Sequence, residues 1–251
     1  MSSPEIYDRN PPPKSPSNSG PPSTVRAAHT DLGFKIYDIT PLISERLGVF
    51  PGDTPFKRHK LLSFEQGQHL LLSSITSTLH IGAHADGPNH YLQNGAGIAA
   101  RDLNLYLGDC LVLHAKRSQA GARRVGWKDL DPKWHSSLDW PASRVIVRTD
   151  SFPDPENWNS DFDSFAPQFI QDLSDRGVKL IGIDTPSIDP EDSKELESHQ
   201  TVAKNNLAIL EGVVLTDVEE GLYTLIALPL KIEGADAGPL RAVLIGKSAI
   251  L

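Results

Sequence analysis

The hydrophobic positions of this chain come in short bursts. From Phe34, "FKIYDITPLI" alternates apolar and polar residues with the two-residue period of a half-buried strand. Further runs follow in "LLLSSITSTLHI" (70–81), "DCLVLHA" (109–115), "SRVIVRTD" (143–150), "VKLIGIDTPSI" (178–188), "GLYTLIALPLKI" (221–232) and "RAVLIG" (241–246). Each is Leu-rich or β-branched and bounded by turn-forming residues, which reads as a strand. Helical patterning is scarcer: "DSFAPQFIQDLSDRG" closes on Gly177 as a C-cap does, and "ESHQTVAKNN" (197–206) is short and polar-faced. The pattern predicts an α/β fold, a single sheet-rich domain over residues 34–251. Upstream, residues 1–33 include "NPPPKSPSNSGPPS" and offer almost nothing to bury, so a disordered Pro/Ser-rich leader is expected there. No internal repeat interrupts this organisation.

Composition narrows the partners. At 251 residues, 39% hydrophobic and 22% charged, the chain is long enough to bury a full core. A net charge of -8, with no Lys/Arg cluster beyond a triplet, argues against nucleic acid and for a small-molecule substrate. The single cysteine, Cys110, can form no intrachain disulfide and sits in an apolar run as a small buried hydrophobe would. No apolar run approaches the roughly 18 residues of a membrane span. The N-terminus has neither the basic start nor the apolar stretch of a secretory signal, so a cytoplasmic protein with no membrane partner is expected.

The chemistry concentrates in "TSTLHIGAHADGPNHYL" (76–92), where His80, His84, Asp86 and His90 fall close together. A helix would pair His80 with His84, but Gly82, Gly87 and Pro88 oppose one. A strand end followed by a tight loop fits better: His84 and Asp86 then point to the same side, and the glycines let His80 converge on them. Imidazole nitrogen and carboxylate oxygen together suit zinc and other first-row divalent ions. Three donors leave a metal undersaturated, and the best further candidates are His199 and Glu211. Glu211 lies inside the apolar "NLAILEGVVL", where a carboxylate needs a compensating cation unless it merely caps a strand at the surface. Five donors with two carboxylates would suffice for two metals bridged by an acid. His90 is then a general acid or base, or else a sixth ligand or a support behind the ligands. His29, His59, His69, His114 and His135 read as structural. In "DTPSIDP" (184–190), Thr185 or Ser187 could line a pocket, though turn chemistry explains the run equally well. "GAGIAA" (95–100) lacks the preceding strand of a dinucleotide fingerprint.

"HIGAHADGPNH" resembles the HxGxHxDxPxH signature of the cyclase-like metal-dependent hydrolases, and its details are similar to the bacterial kynurenine formamidase (arylformamidase) branch. The resemblance extends from about Tyr37 through "VFPGDTPF", "YLGDCLVLHA", "LIGIDTPSIDP", "SHQTVAKNNLAILEGVVLTDV" and "YTLIALPLKIEGADAGPLRAVLI". It implies a swivelling β/β/α domain assembled as a homodimer or homotetramer. The implied reaction is hydrolysis of an aryl formamide, N-formyl-L-kynurenine, to L-kynurenine and formate in tryptophan breakdown, with two divalent metals, commonly Zn2+, Mn2+ being the alternative. By position, His80 and His84 would bind one metal, His199 the other, with Asp86 and Glu211 bridging. A metal-activated water would be the nucleophile, and His90 would carry protons. The residue before "PGDTPF" is commonly Trp in that branch and contacts substrate; here it is Phe50, which can still stack on an aryl ring but has no indole N–H. Ala83, where broader members often have Thr, leans towards the formamidase branch. An isatin-hydrolase-like amide or lactam hydrolase, or a non-catalytic metal-binding protein, are the rival expectations.

Overall fold

A computed structural model describes residues 26–29, 34–116, 123–136 and 140–246. In chain order the strands are β1 (Arg26–His29), β2 (Lys35–Asp38), β3 (Lys57–Leu62), β4 (Leu72–Thr76), β5 (His84–Asp86), β6 (Leu107–His114) and β7 (Arg124–Val125). Helix α1 (Pro132–His135) is followed by β8 (Arg144–Arg148), β9 (Ser164–Phe165), α2 (Pro167–Asp175), β10 (Leu180–Ile183) and α3 (Glu197–Lys204). β11 (Ala208–Leu210), β12 (Gly221–Ile226), β13 (Ala237–Pro239) and β14 (Val243–Gly246) complete the fold. Eight strands form the main sheet, in the order β1-β2-β14-β12-β6-β8-β10-β11. From β6 to β11 the pairing is parallel, and from β6 to β1 it is antiparallel.

The period-2 alternation of the strands explains the layers. Along β6, Cys110 and Val112 face one core with Leu180, Leu210 and Leu225, while Leu111 and Leu113 face the other with Val145, Val147 and Ile183. Both faces are therefore apolar, as strands covered on two sides must be. The second core is closed by α2 and α3, which supply Phe169, Ile170, Leu173 and Val202. The first is closed by Ala83 and Ala85 around the small β5–β13 sheet, with Ile98, Tyr106 and Leu240. A helical layer, a large sheet and a small sheet result, the sheet-dominated α/β class that the pattern predicted. Cys110 is fully buried on β6.

Two expectations change. Within residues 1–33, Arg26–His29 form a strand paired antiparallel with β2, because the backbone there meets an open sheet edge; the rest of the expected leader lies outside the described residues. The run 70–81 is not one strand: β4 ends at Thr76, opposite Lys57, because Pro55 beyond Lys57 can donate no ladder hydrogen bond. The chain then turns inward at Thr78, whose N–H donates to the Thr54 carbonyl at 2.9 Å, and delivers His80 to the site.

Candidate metal centre

The site forms where the parallel strands end, the usual position in open α/β sheets. Glu211 immediately follows β11, and Asp184 immediately follows β10. β5 docks on the end of β11 through a reciprocal pair of backbone hydrogen bonds, His84 N to Glu211 O at 3.1 Å and Glu211 N to His84 O at 3.0 Å. This bridge needs Gly212: its φ is +66°, and a Cβ there would collide with the Gly82 carbonyl oxygen. His199 comes from the first turns of α3, whose preceding residue Leu196 is held at φ +49°, a left-handed conformation unusual for leucine.

Three imidazoles share one construction. In each, one ring nitrogen is tethered to an acceptor and the other faces the carboxylates of Asp86 or Glu211. For His80, Nε2 lies 3.2 Å from Asp236 Oδ2 and Nδ1 lies 3.2 Å from Asp86 Oδ1. For His84, Nδ1 is 2.9 Å from the Gly82 carbonyl, while Nε2 is 3.2 Å from Glu211 Oε2 and 3.6 Å from Asp86 Oδ1. For His199, Nδ1 is 2.8 Å from Asp189 Oδ2, while Nε2 is 3.4 Å from Asp86 Oδ2 and 3.7 Å from Glu211 Oε1. The tether fixes which nitrogen keeps its lone pair for a metal. Each carboxylate thus directs one oxygen towards His84 and the other towards His199.

The cluster is costly without a cation. His84 Nε2 and both oxygens of Asp86 are buried without a hydrogen-bond partner. Burial of His80 disfavours its charged form, but the carboxylates of Asp86 and Asp236 outweigh it and raise the imidazole to about 9. Burial likewise opposes charge on His199, and Asp189 and Asp86 overcome it, raising that ring to about 10. Asp86 resists the upward push of burial and is held well below the usual carboxylate range by His199 and His80. These protons mark the places that cations would take. Among the described residues, His80, His84 and Asp86 form one group whose donor atoms could hold a metal ion, and Asp86, His90 and His199 form another.

His90 lies on a short 3-10 turn, Pro88–His90, with its ring centroid 4.2 Å from that of His80 and Nδ1 3.8 Å from Asp236 Oδ2. Partial burial holds its pKa below the ordinary imidazole value. Beside the cluster opens a cavity of about 410 Å3, within the usual range for small-molecule sites. Phe50 lines it, as do Phe152 and Trp158; the Phe50 and Trp158 rings meet edge-on at 5.4 Å. Ser187 also lines it, whereas Thr185 is buried and donates its hydroxyl to the Ser187 carbonyl. Sequence reasoning missed Asp189, Asp236 and Trp158. His59, His114 and His135 lie apart from the cluster, with partners at Thr76, Val218 and Trp127.

The Cyclase family model ("Putative cyclase") matches residues 30–190. The chain belongs to the cyclase family. Kynurenine formamidase of Delftia acidovorans (strain DSM 14801 / SPH-1) is 44% identical over 210 residues, covering 84% of this chain and 97% of that one. The enzyme of the same name from Bordetella pertussis (strain Tohama I / ATCC BAA-589 / NCTC 13251) is 44% identical over 213 residues with the same coverage. Among solved structures, a "potential metal-dependent hydrolase with cyclase activity" superposes with a TM-score of 0.72 at 27% identity, covering 86% of this chain and all of that one. Isatin hydrolase A from Labrenzia aggregata, bound to benzyl benzoate, shares the fold with a TM-score of 0.73 at 18% identity, over 86% of this chain and 94% of that one. Cyclase-family relatives at this identity make the chain a hydrolase, and its His/Asp cluster has the donor set for a metal. No helix among the described residues is long and apolar enough to cross a membrane.

Proposed function

We propose that this chain is an arylformamidase that hydrolyses N-formyl-L-kynurenine to L-kynurenine and formate. The observation that carries the reading is the pair of carboxylates, Asp86 and Glu211, each split between His84 and His199 beside an aromatic-walled cavity that Glu211 and both imidazoles line. High identity to kynurenine formamidases supports the substrate. His80 and His84 would hold one divalent cation and His199 the other, with Asp86 and Glu211 shared between them. Zinc is the best match to this nitrogen and oxygen set, and manganese would be accepted. When bound, such cations lower the pKa of a coordinated water to about 7 and polarise a carbonyl oxygen.

The chain's own groups do the rest. Phe50 and Trp158 present ring edges and faces to the aryl group and orient the formyl end towards the donors. His90, whose pKa is held below the ordinary imidazole value, takes the proton released when water adds to the formyl carbon, and returns it to the aniline nitrogen as the C–N bond breaks. Ile188 N donates to Glu211 Oε1 at 2.7 Å and holds that carboxylate in line. A homo-oligomer is part of the same reading. The β3–β4 hairpin stands off the main sheet with Leu61, Phe64, Leu71, Leu72 and Ile75 exposed, an apolar surface suited to a second copy.

The test is hydrolysis of N-formyl-L-kynurenine before and after stripping with chelator and restoring zinc or manganese. Metal-dependent kynurenine release is expected. Full metal loading with turnover of isatin and none of the formamide would move the assignment to a lactam hydrolase.

A further inference from the structure

We propose that Glu191 is the acceptor for a substrate ammonium group, so that the cavity selects aryl amides carrying a protonated amine. The inference rests on the hydrolase reading of the site and adds the substrate's charged end to it.

Beyond the histidines of the cluster, the ionisable side chains lining the cavity among the described residues are Asp53, Asp184, Glu191 and Glu211, with no lysine or arginine. Glu211 belongs to the donor set. Asp184 is fully engaged: it accepts the Thr149 hydroxyl at 2.7 Å and the N–H groups of Thr149 and Asp150 at 2.9 and 3.0 Å. Asp53 sits on an exposed turn, where Oδ1 accepts from Thr54 N at 2.7 Å. Glu191 is different. It is half-buried, and its Oε2 accepts the Trp158 indole N–H at 2.6 Å, which fixes the carboxylate beside an aromatic wall. That wall continues through Phe152 and Phe50, whose ring centroids lie 5.6 and 5.4 Å from that of Trp158. Oε1 of Glu191 has no hydrogen-bond partner among the described residues.

An aryl ring seated along Trp158 and Phe50 therefore places its substituent beside an oriented, uncompensated carboxylate. A protonated amine would make a charge-assisted hydrogen bond there. Around Glu191 a substrate carboxylate would meet like charge, with no lysine or arginine among the described lining residues to offset it. The amino-acid tail of a kynurenine-type substrate carries both groups, and the geometry points to recognition of the amine.

The ligands that separate these groups are L-kynurenine, its methyl ester, which keeps only the ammonium, and Nα-acetyl-L-kynurenine, which keeps only the carboxylate. Binding to the zinc-loaded protein is measured by calorimetry for the wild type and for Glu191→Gln, whose amide oxygen can still accept the Trp158 N–H. The acetyl derivative is expected to bind about tenfold more weakly than kynurenine and its ester, a gap typical of a hydrogen bond to a charged group. Glu191→Gln should close that gap. Equal binding of all three ligands to the wild type overturns the proposal, whether or not the variant folds, and so does an equal loss across the series in the variant. Because binding of the product series is read separately from turnover, a wild type that hydrolyses no aryl formamide would refute the formamidase reading without deciding the role of Glu191.

Discussion

With Nδ1 of His199 held by Asp189 at 2.8 Å, only Nε2 keeps a lone pair towards Asp86 and Glu211. Asp189 is itself fully buried, takes Arg124 Nη1 at 3.1 Å and is depressed to about 2 despite burial, chiefly by the His199 hydrogen bond. On the proposed two-cation reading, Asp189→Asn should therefore weaken the site built on His199 about 10- to 100-fold and leave the one built on His80 and His84. Metal titration followed by mass spectrometry of the native protein would show this, and two sites of unchanged affinity would refute it. His90 makes no tether of the kind seen in His80, His84 and His199, and its nearest carboxylate, Asp236, is 3.8 Å away. His90→Ala is expected to lower turnover by about 10^2- to 10^4-fold with metal content intact; loss of metal would make His90 a ligand. At this scale the sequence displayed His80, His84, Asp86 and His90 because they crowd one loop, and Glu211 because it interrupts an apolar run. Asp189 and Asp236 stayed hidden, since "SIDP" and "GADAG" look like any acidic turn until tertiary contact pairs them with imidazoles.

Elements, rather than single residues, set the distance between the two halves of the donor set. The small sheet reaches the main one at a single bridge, His84 to Glu211, and Gly212 makes that approach possible. Gly212→Ala would introduce a Cβ against the Gly82 carbonyl at a positive φ, and should cost on the order of 3 kcal/mol or more. Urea unfolding of the metal-free variant measures that cost, and metal titration reads whether affinity and stoichiometry fall when His84 and Glu211 are pushed apart. An alanine variant with unchanged stability and stoichiometry would show that the bridge is not what positions the donor groups. β6, β8 and β10 were legible because a strand buried on both faces leaves a continuous apolar run. The hairpin was less so: β4 carries leucine and isoleucine yet is exposed along its length, so its composition imitates a core strand while its location does not. The end of α2 was readable from Gly177, which takes φ +84° one residue beyond the cap Arg176.

Across the whole molecule, folding, protons and metal are linked through the same cluster. In the metal-free protein His80 and His199 are raised to about 9 and about 10, above their ordinary value of 6.5. Their pairing with carboxylates thus stabilises the fold fully below pH 6.5, and that contribution is lost as pH rises through the two folded values. Asp86 acts in the opposite direction: held well below its ordinary 3.8, it stabilises above that value and ceases to do so as pH falls through its folded pKa. A divalent cation must displace the imidazole protons, so metal affinity should fall as pH drops below about 9, and loading at pH 7.5 should release close to two protons per chain. Calorimetric zinc titrations in buffers of different ionisation enthalpy count those protons directly. The thermal melting gap between loaded and chelated protein should correspondingly widen from pH 6 to pH 9, because the chelated form loses its imidazolium pairs while the loaded form binds its metal more tightly. Zinc binding with no proton release at pH 7.5 would mean that the imidazoles are already neutral in the empty site, and that the carboxylates, not the histidines, carry the charge which the cation replaces.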